Sequence, residues 1–102
     1  MQIIIQSPHV TPTEVLTKHI HAKIGKLAHF YEQIETARVF LKIEKSDINE
    51  DKVCEISLAI PSKDLFVKRR SYTFEDALSQ AIDALHREID KLKTKIEHQL
   101  KA

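Results

Sequence analysis

The chain has 102 residues, is 42% hydrophobic and 30% charged, and holds one glycine and three prolines. This is enough for one packed domain over 1–102 and excludes disorder and low complexity. Its 16 Lys and Arg against 15 Asp and Glu give a net charge of only +1, so any anion-binding role has to come from segregated charge rather than from the total.

Gln2–Gln6 is a short apolar run rich in β-branched residues and reads as a strand, broken by Ser7-Pro8. Thr11-Pro12-Thr13-Glu14 has the form of a helix start, with Thr11 as N-cap, Pro12 in the first helical position and Glu14 closing a capping box. Leu16, Ile20, Ile24, Leu27 and Tyr31 then follow as a buried stripe, with His19, Lys23 and Lys26 along one edge of it. Gly25 falls inside this helix, where it costs about 1 kcal/mol against Ala. A close crossing with another element would explain it.

Ala37–Lys45 alternates, with Ala37, Val39, Leu41 and Ile43 on one face and Arg38, Phe40, Lys42 and Glu44 on the other. A polar, acidic connection over 46–51 leads to a second alternating run, Lys52–Ile60, with Cys54, Ile56, Leu58 and Ile60 inward. After a turn at Pro61-Ser62-Lys63, Asp64–Arg69 gives a third run with Leu65 and Val67 inward, and the meander is most simply antiparallel.

Thr73, with Asp76 three residues later, caps a final helix carrying Phe74, Leu78, Ala81, Ile82, Leu85, Ile89, Leu92, Ile96 and Leu100 as an apolar stripe. From Phe74 to Leu100 it would be roughly 40 Å long. A right-handed crossover makes the first two strands parallel. The expected fold is therefore α+β, in the order β-α-β-β-β-α, with a four-stranded mixed sheet and both helices packed on one face. The other face, with Arg38, Lys42, Glu55 and Lys68, should be wet.

The final helix also carries a second line, Arg87, Lys91, Lys95 and His98, stepping by four, four and three. Its i,i+4 like-charge pairs each cost a few tenths of a kcal/mol, which suits a row of cations set against a row of phosphates. On the helix alone a solvated face is the simpler reading, because Asp83, Glu88 and Asp90 lie nearby.

No catalytic pattern emerges. Gly25 stands alone, so no glycine-rich phosphate loop exists. The six histidines show no i,i+4 pair and no completing ligand set, so neither a metal nor another cofactor is expected. Cys54 is the single cysteine, which excludes an internal disulfide, and its inward position makes it a core residue rather than a nucleophile. Apolar runs are too short to cross a bilayer and no signal peptide is evident, so the chain reads as a cytoplasmic protein with no membrane partner. Tyr31 and Phe74 lie on the helix stripes, and aromatics exposed to stack single-stranded bases are not evident. Basic helices with few stacking groups suit a folded RNA surface read by shape and phosphate.

Several segments resemble the ribosome hibernation-promoting factors, or ribosome-associated inhibitors, also known as sigma-factor modulation proteins. They are the opening strand into Val10-Thr11, Ala22-Lys23-Ile24-Gly25-Lys26-Leu27 with Ile34 following, Val39–Lys45, Asp64-Leu65-Phe66-Val67, and Arg87-Glu88-Ile89-Asp90-Lys91-Leu92-Lys93. They occur in the family's order and spacing and together cover essentially the whole chain. The resemblance implies the same β-α-β-β-β-α fold, similar to double-stranded RNA-binding domains. It also implies a non-enzymatic role: binding the small ribosomal subunit in the mRNA and tRNA channel and holding the ribosome inactive under stress.

By resemblance, Lys23, Lys26, Arg87, Lys91 and Lys93 contact ribosomal RNA. The stripe adds Lys95, and local charge adds Lys68, Arg69 and Arg70. Glu88 stands where the family usually has Gln, and Asp90 adds a second acid. Each should lower phosphate affinity by about 1 kcal/mol at low salt. The chain ends at Ala102, as expected of the short members that lack a ribosome-pairing C-terminal domain. The alternative is a protein-interaction module that self-associates through Leu92, Ile96 and Leu100.

Overall fold

The computed structural model describes residues 1–48, 50–61 and 63–101, with side chains through Lys95. Its elements follow the expected order: β1 (Gln2–Gln6), α1 (Glu14–Phe30), β2 (Thr36–Lys45), β3 (Glu50–Ile60), β4 (Lys63–Ser71) and α2 (Phe74–Lys101). The strands lie in sequence order in one sheet, with β1 parallel to β2 and the rest antiparallel.

Alternation along the strands sets the two faces. The inward rows are Ile3–Ala37–Leu58–Leu65 and Ile5–Val39–Ile56–Val67, continued by Leu41–Cys54. Together with Leu16, Ile20, Ile24 and Leu27 of α1 and Leu78, Ala81, Leu85 and Ile89 of α2 they form one buried core. Both helices therefore cover the same face of the sheet. The third row ends on Arg69 rather than an apolar residue, because β4 is an edge there; its Nη1 donates to the Lys68 carbonyl at 2.8 Å. Cys54 is fully buried, and burial pushes its thiol up to about 12.

Three local expectations change. The N-cap of α1 is Thr13, not Thr11: its backbone is extended and its Oγ1 accepts from the Leu16 N–H at 3.0 Å. Pro12 then lies ahead of the cap, where its missing N–H costs nothing. β3 starts at Glu50, shortening the acidic connection, because Lys45 sits opposite Glu50 and Lys52 donates to Glu50 at 2.7 Å. Finally, no close crossing explains Gly25: a Cβ built there meets nothing within 4 Å.

The cap of α2 is as expected. The Asp76 N–H donates to Thr73 Oγ1 at 3.1 Å. The Asp76 carboxylate also accepts from the Ser71 hydroxyl and from Gln80 Nε2, and the Ser71 bond, foremost, holds it below its usual range. An acid in the first turn also suits the positive end of the helix. Along α2, Leu92 is the farthest described residue that packs on the core, where it is partly buried. Ile96 and Leu100, the other residues of the expected self-association stripe, lie outside the described side chains, as does His98.

Candidate nucleic-acid interface

Of the nine cations expected to meet RNA, Arg69 ends the inward row opposite Cys54, and the other eight fall into three groups. Lys23 and Lys26 lie on α1 three residues apart, and Phe30 follows Lys26 by four, so the three share one flank. That flank faces α2, because the Phe30 ring packs against His86 with centroids 4.8 Å apart.

Lys93 is engaged at this junction, on its exposed side. Its Nζ donates to the Phe30 carbonyl at 2.7 Å and sits 3.7 Å from the centre of the Phe30 ring. The carbonyl is one of the last of α1, where a cation meets the negative helix end, and the ring adds a cation–π contact. Lys93 therefore ties the end of α1 to α2. Sequence reading missed this because Phe30 and Lys93 are 63 residues apart.

Arg87, Lys91 and Lys95 lie on the other flank of α2. Ala84 and Glu88 line a groove against β4, and Lys91 and Lys95 continue that line by steps of three and four. Lys91 makes a long, exposed ion pair with Glu88 at 3.5 Å, which is worth little. Lys23, Lys26, Arg87 and Lys95 make no ion pair with a described residue.

Lys68 and Arg70 alternate onto the open face of the sheet. Lys68 opposes Glu55, and Arg70 opposes Val53. Both bond Glu44, at 3.0 and 2.9 Å, while Lys42 reaches Glu55 at 2.8 Å and Glu44 at 3.4 Å. Glu44 is thus shared by three cations and is held below its usual range, foremost by the Lys68 hydrogen bond. Lys42 is raised, foremost by its bond to Glu55. Beneath this network Val53 is fully buried on the open face, opposite Lys42 and Arg70, whose apolar stems can roof it.

Aromatics exposed to stack bases are not evident in the sequence, yet Phe66 is 60% exposed on the open face and Tyr72 is 80% exposed. The signal for Phe66 was present, since Leu65 and Val67 inward put Phe66 outward. Among the described residues no three His, Cys, Asp or Glu side chains gather as a metal site, and no helix is long and apolar enough to cross a membrane.

The model of a family described as sigma 54 modulation protein / S30EA ribosomal protein matches residues 3–97. A ribosome hibernation promoting factor of Escherichia coli (strain K12) is 28% identical over 97 residues, covering 95% of this chain and 98% of that protein. A ribosome hibernation promotion factor of Bacillus subtilis (strain 168) is 26% identical over 99 residues, but this chain spans only 51% of its length. In three dimensions the chain is similar to a ribosomal subunit interface protein from Coxiella burnetii, with a TM-score of 0.82, 15% identity, and 92% and 99% of the two chains covered. It is also similar to the N-terminal domain of Thermus thermophilus protein Y, with a TM-score of 0.72, 16% identity, and 89% and 94% covered.

Proposed function

The chain belongs to the sigma 54 modulation protein / S30EA ribosomal protein family, and on that footing we propose that it is a non-enzymatic ribosome hibernation factor that binds ribosomal RNA of the small subunit. The relatives named for ribosome hibernation support the role. The observation that carries the RNA contact is the set of helix-side cations, Lys23, Lys26, Arg87 and Lys95, that no described acid neutralises. Cations of this kind release counterions when they meet phosphates, and that release supplies affinity without base readout. Lys91 joins them, since its exposed pair with Glu88 breaks at little cost.

Lys93 is left out of the RNA-facing set as the tie between helices, and Lys68 and Arg70 are left out because Glu44 already takes both. The bound position is the messenger and transfer RNA channel between head and body, where occupation blocks translation.

Co-sedimentation with purified small subunits tests this reading. The chain should pellet with empty subunits, and subunits preloaded with messenger and initiator transfer RNA should exclude it. Equal pelleting with loaded and empty subunits contradicts the channel position, and no pelleting contradicts the function.

A further inference from the structure

The open face of the sheet holds a second feature, at the end opposite the Glu44 network. Thr36, Ala59 and Asp64 lie in one row across β2, β3 and β4, and Arg38, Ser57 and Phe66 lie in the next. Thr36, Arg38, Ser57, Ala59 and Asp64 line a dent of about 280 Å³. The small Ala59 side chain, flanked by Thr36 and Asp64, leaves the hollow open.

Arg38 and Asp64 are of opposite charge and border the same dent, yet they do not pair with each other or with any described residue. They sit two strands apart, about 10 Å across the sheet. This contrasts with the neighbouring network, where every cation has found its acid.

We infer that this dent takes a guanine base, presented by a single-stranded RNA or a free nucleotide, with Phe66 as the stacking platform beside it. The volume lies at the small end for ligand sites, roughly 300 Å³ and upward, so it admits one ring system with the ribose and phosphate outside. The polar groups select which ring. Guanine alone among the four bases offers two adjacent donors, N1–H and the N2 amino group, to a carboxylate. On its other edge O6 and N7 are two adjacent acceptors for a guanidinium, the pairing most used to read guanine.

Adenine offers one amino donor and no adjacent second one. Uracil has a single ring N–H, and cytosine has its amino group beside acceptors. The Ser57 and Thr36 hydroxyls donate or accept as required. Phe66, 60% exposed at a cross-strand position from Ser57, supplies a flat apolar surface of the kind on which unpaired bases stack. The site is separate from the helix-side cations and does not depend on their contact with the ribosome.

The test is an amide NMR titration of the labelled full chain with GMP, AMP, CMP and UMP, and with a short single strand carrying one guanosine. GMP should shift Thr36, Arg38, Ser57, Ala59, Asp64 and Phe66 saturably, and the other three nucleotides should not. Tighter binding by the strand assigns the base to RNA, and equal binding assigns it to a free nucleotide; both support the site. Asp64→Asn should weaken GMP binding about tenfold, as loss of a bidentate pair does. Phe66→Ala should cost a similar factor.

Ala59→Leu, on a half-exposed position, should fill the dent and abolish the shifts while the rest of the spectrum stays folded. Arg87→Glu with Lys91→Glu should leave GMP binding unchanged, so a failure here is distinguishable from a failure of the ribosome reading. Equal shifts with all four nucleotides, or Asp64→Asn binding GMP as well as wild type, overturns the inference.

Discussion

On the open face of the sheet, Lys42, Lys68 and Arg70 all end on Glu44 or Glu55, whereas Lys23, Lys26, Arg87 and Lys95 on the helix side end on no described acid. A net charge of +1 hides this division. Counting cations along the sequence treats Lys68 and Lys95 alike. Strand pairing separates them, because it places Lys68 within 3.0 Å of a glutamate 24 residues away. The available charge belongs mainly to the helices: on the sheet face Lys42, Lys68 and Arg70 are already engaged across strands, and Arg38 at the far end is not.

The division rests on one core between the layers, and the largest effect comes from weakening it. Ile56→Ala, at a fully buried inward position, should destabilise the fold by about 2–5 kcal/mol in denaturant unfolding. The same truncation at the half-exposed Ile4, on the open face, should cost clearly less. Equal costs would mean that the two faces are packed alike.

Lys93 tests the border between the groups. Lys93→Met removes the bond to the Phe30 carbonyl and the cation–π contact, and should lower stability by about 1 kcal/mol. The salt dependence of ribosome binding should hardly change. A slope reduced by a full unit would return Lys93 to the residues that meet RNA.

Gly25→Ala has the opposite sign. With no atom within 4 Å of the added Cβ, it should stabilise α1 by about 0.5–1 kcal/mol, read as a higher Tm, with subunit binding unaffected.

The smallest effect is on the pH dependence of the sheet face. Glu44 and Asp76 are both held below their usual values of 4.5 and 3.8, foremost by Lys68 and by the Ser71 hydroxyl. A depressed carboxylate contributes stability above its unfolded pKa and loses it as pH falls through the folded one. Unfolding free energy should therefore decline below pH 4.5, and Glu44→Gln should flatten that decline. An unchanged acid limb in Glu44→Gln would mean that the network adds nothing to stability.

Much of the fold was legible because its signals are periodic. Alternation at Ala37–Lys45 and Lys52–Ile60, and three- and four-residue steps after Phe74, fix which side chains face the core whatever their neighbours are. The cap of α1 was misplaced by two residues, since Thr11 and Thr13 are equally good caps and only the phase of Leu16 chooses between them. The candidate surface was less legible. Arg87, Lys91 and Lys95 line up within a single helix, so spacing suffices. The fates of Lys93, Lys68 and Arg70 depend on partners in other elements, Phe30 and Glu44, and no local pattern carries that information. Val53 makes the same point: its outward position implied exposure, yet it is fully buried.

The central claim is that the helix side, and not the sheet side, supplies the phosphate contacts. It is tested by measuring small-subunit affinity across a salt series for Arg87→Glu with Lys91→Glu, and for Lys68→Glu with Arg70→Glu. Each phosphate left without its cation should reduce the salt slope by about one. The expected result is a slope reduced by about two for the helix pair and unchanged for the sheet pair. Equal reductions in both, or a reduction confined to the sheet pair, would contradict the account.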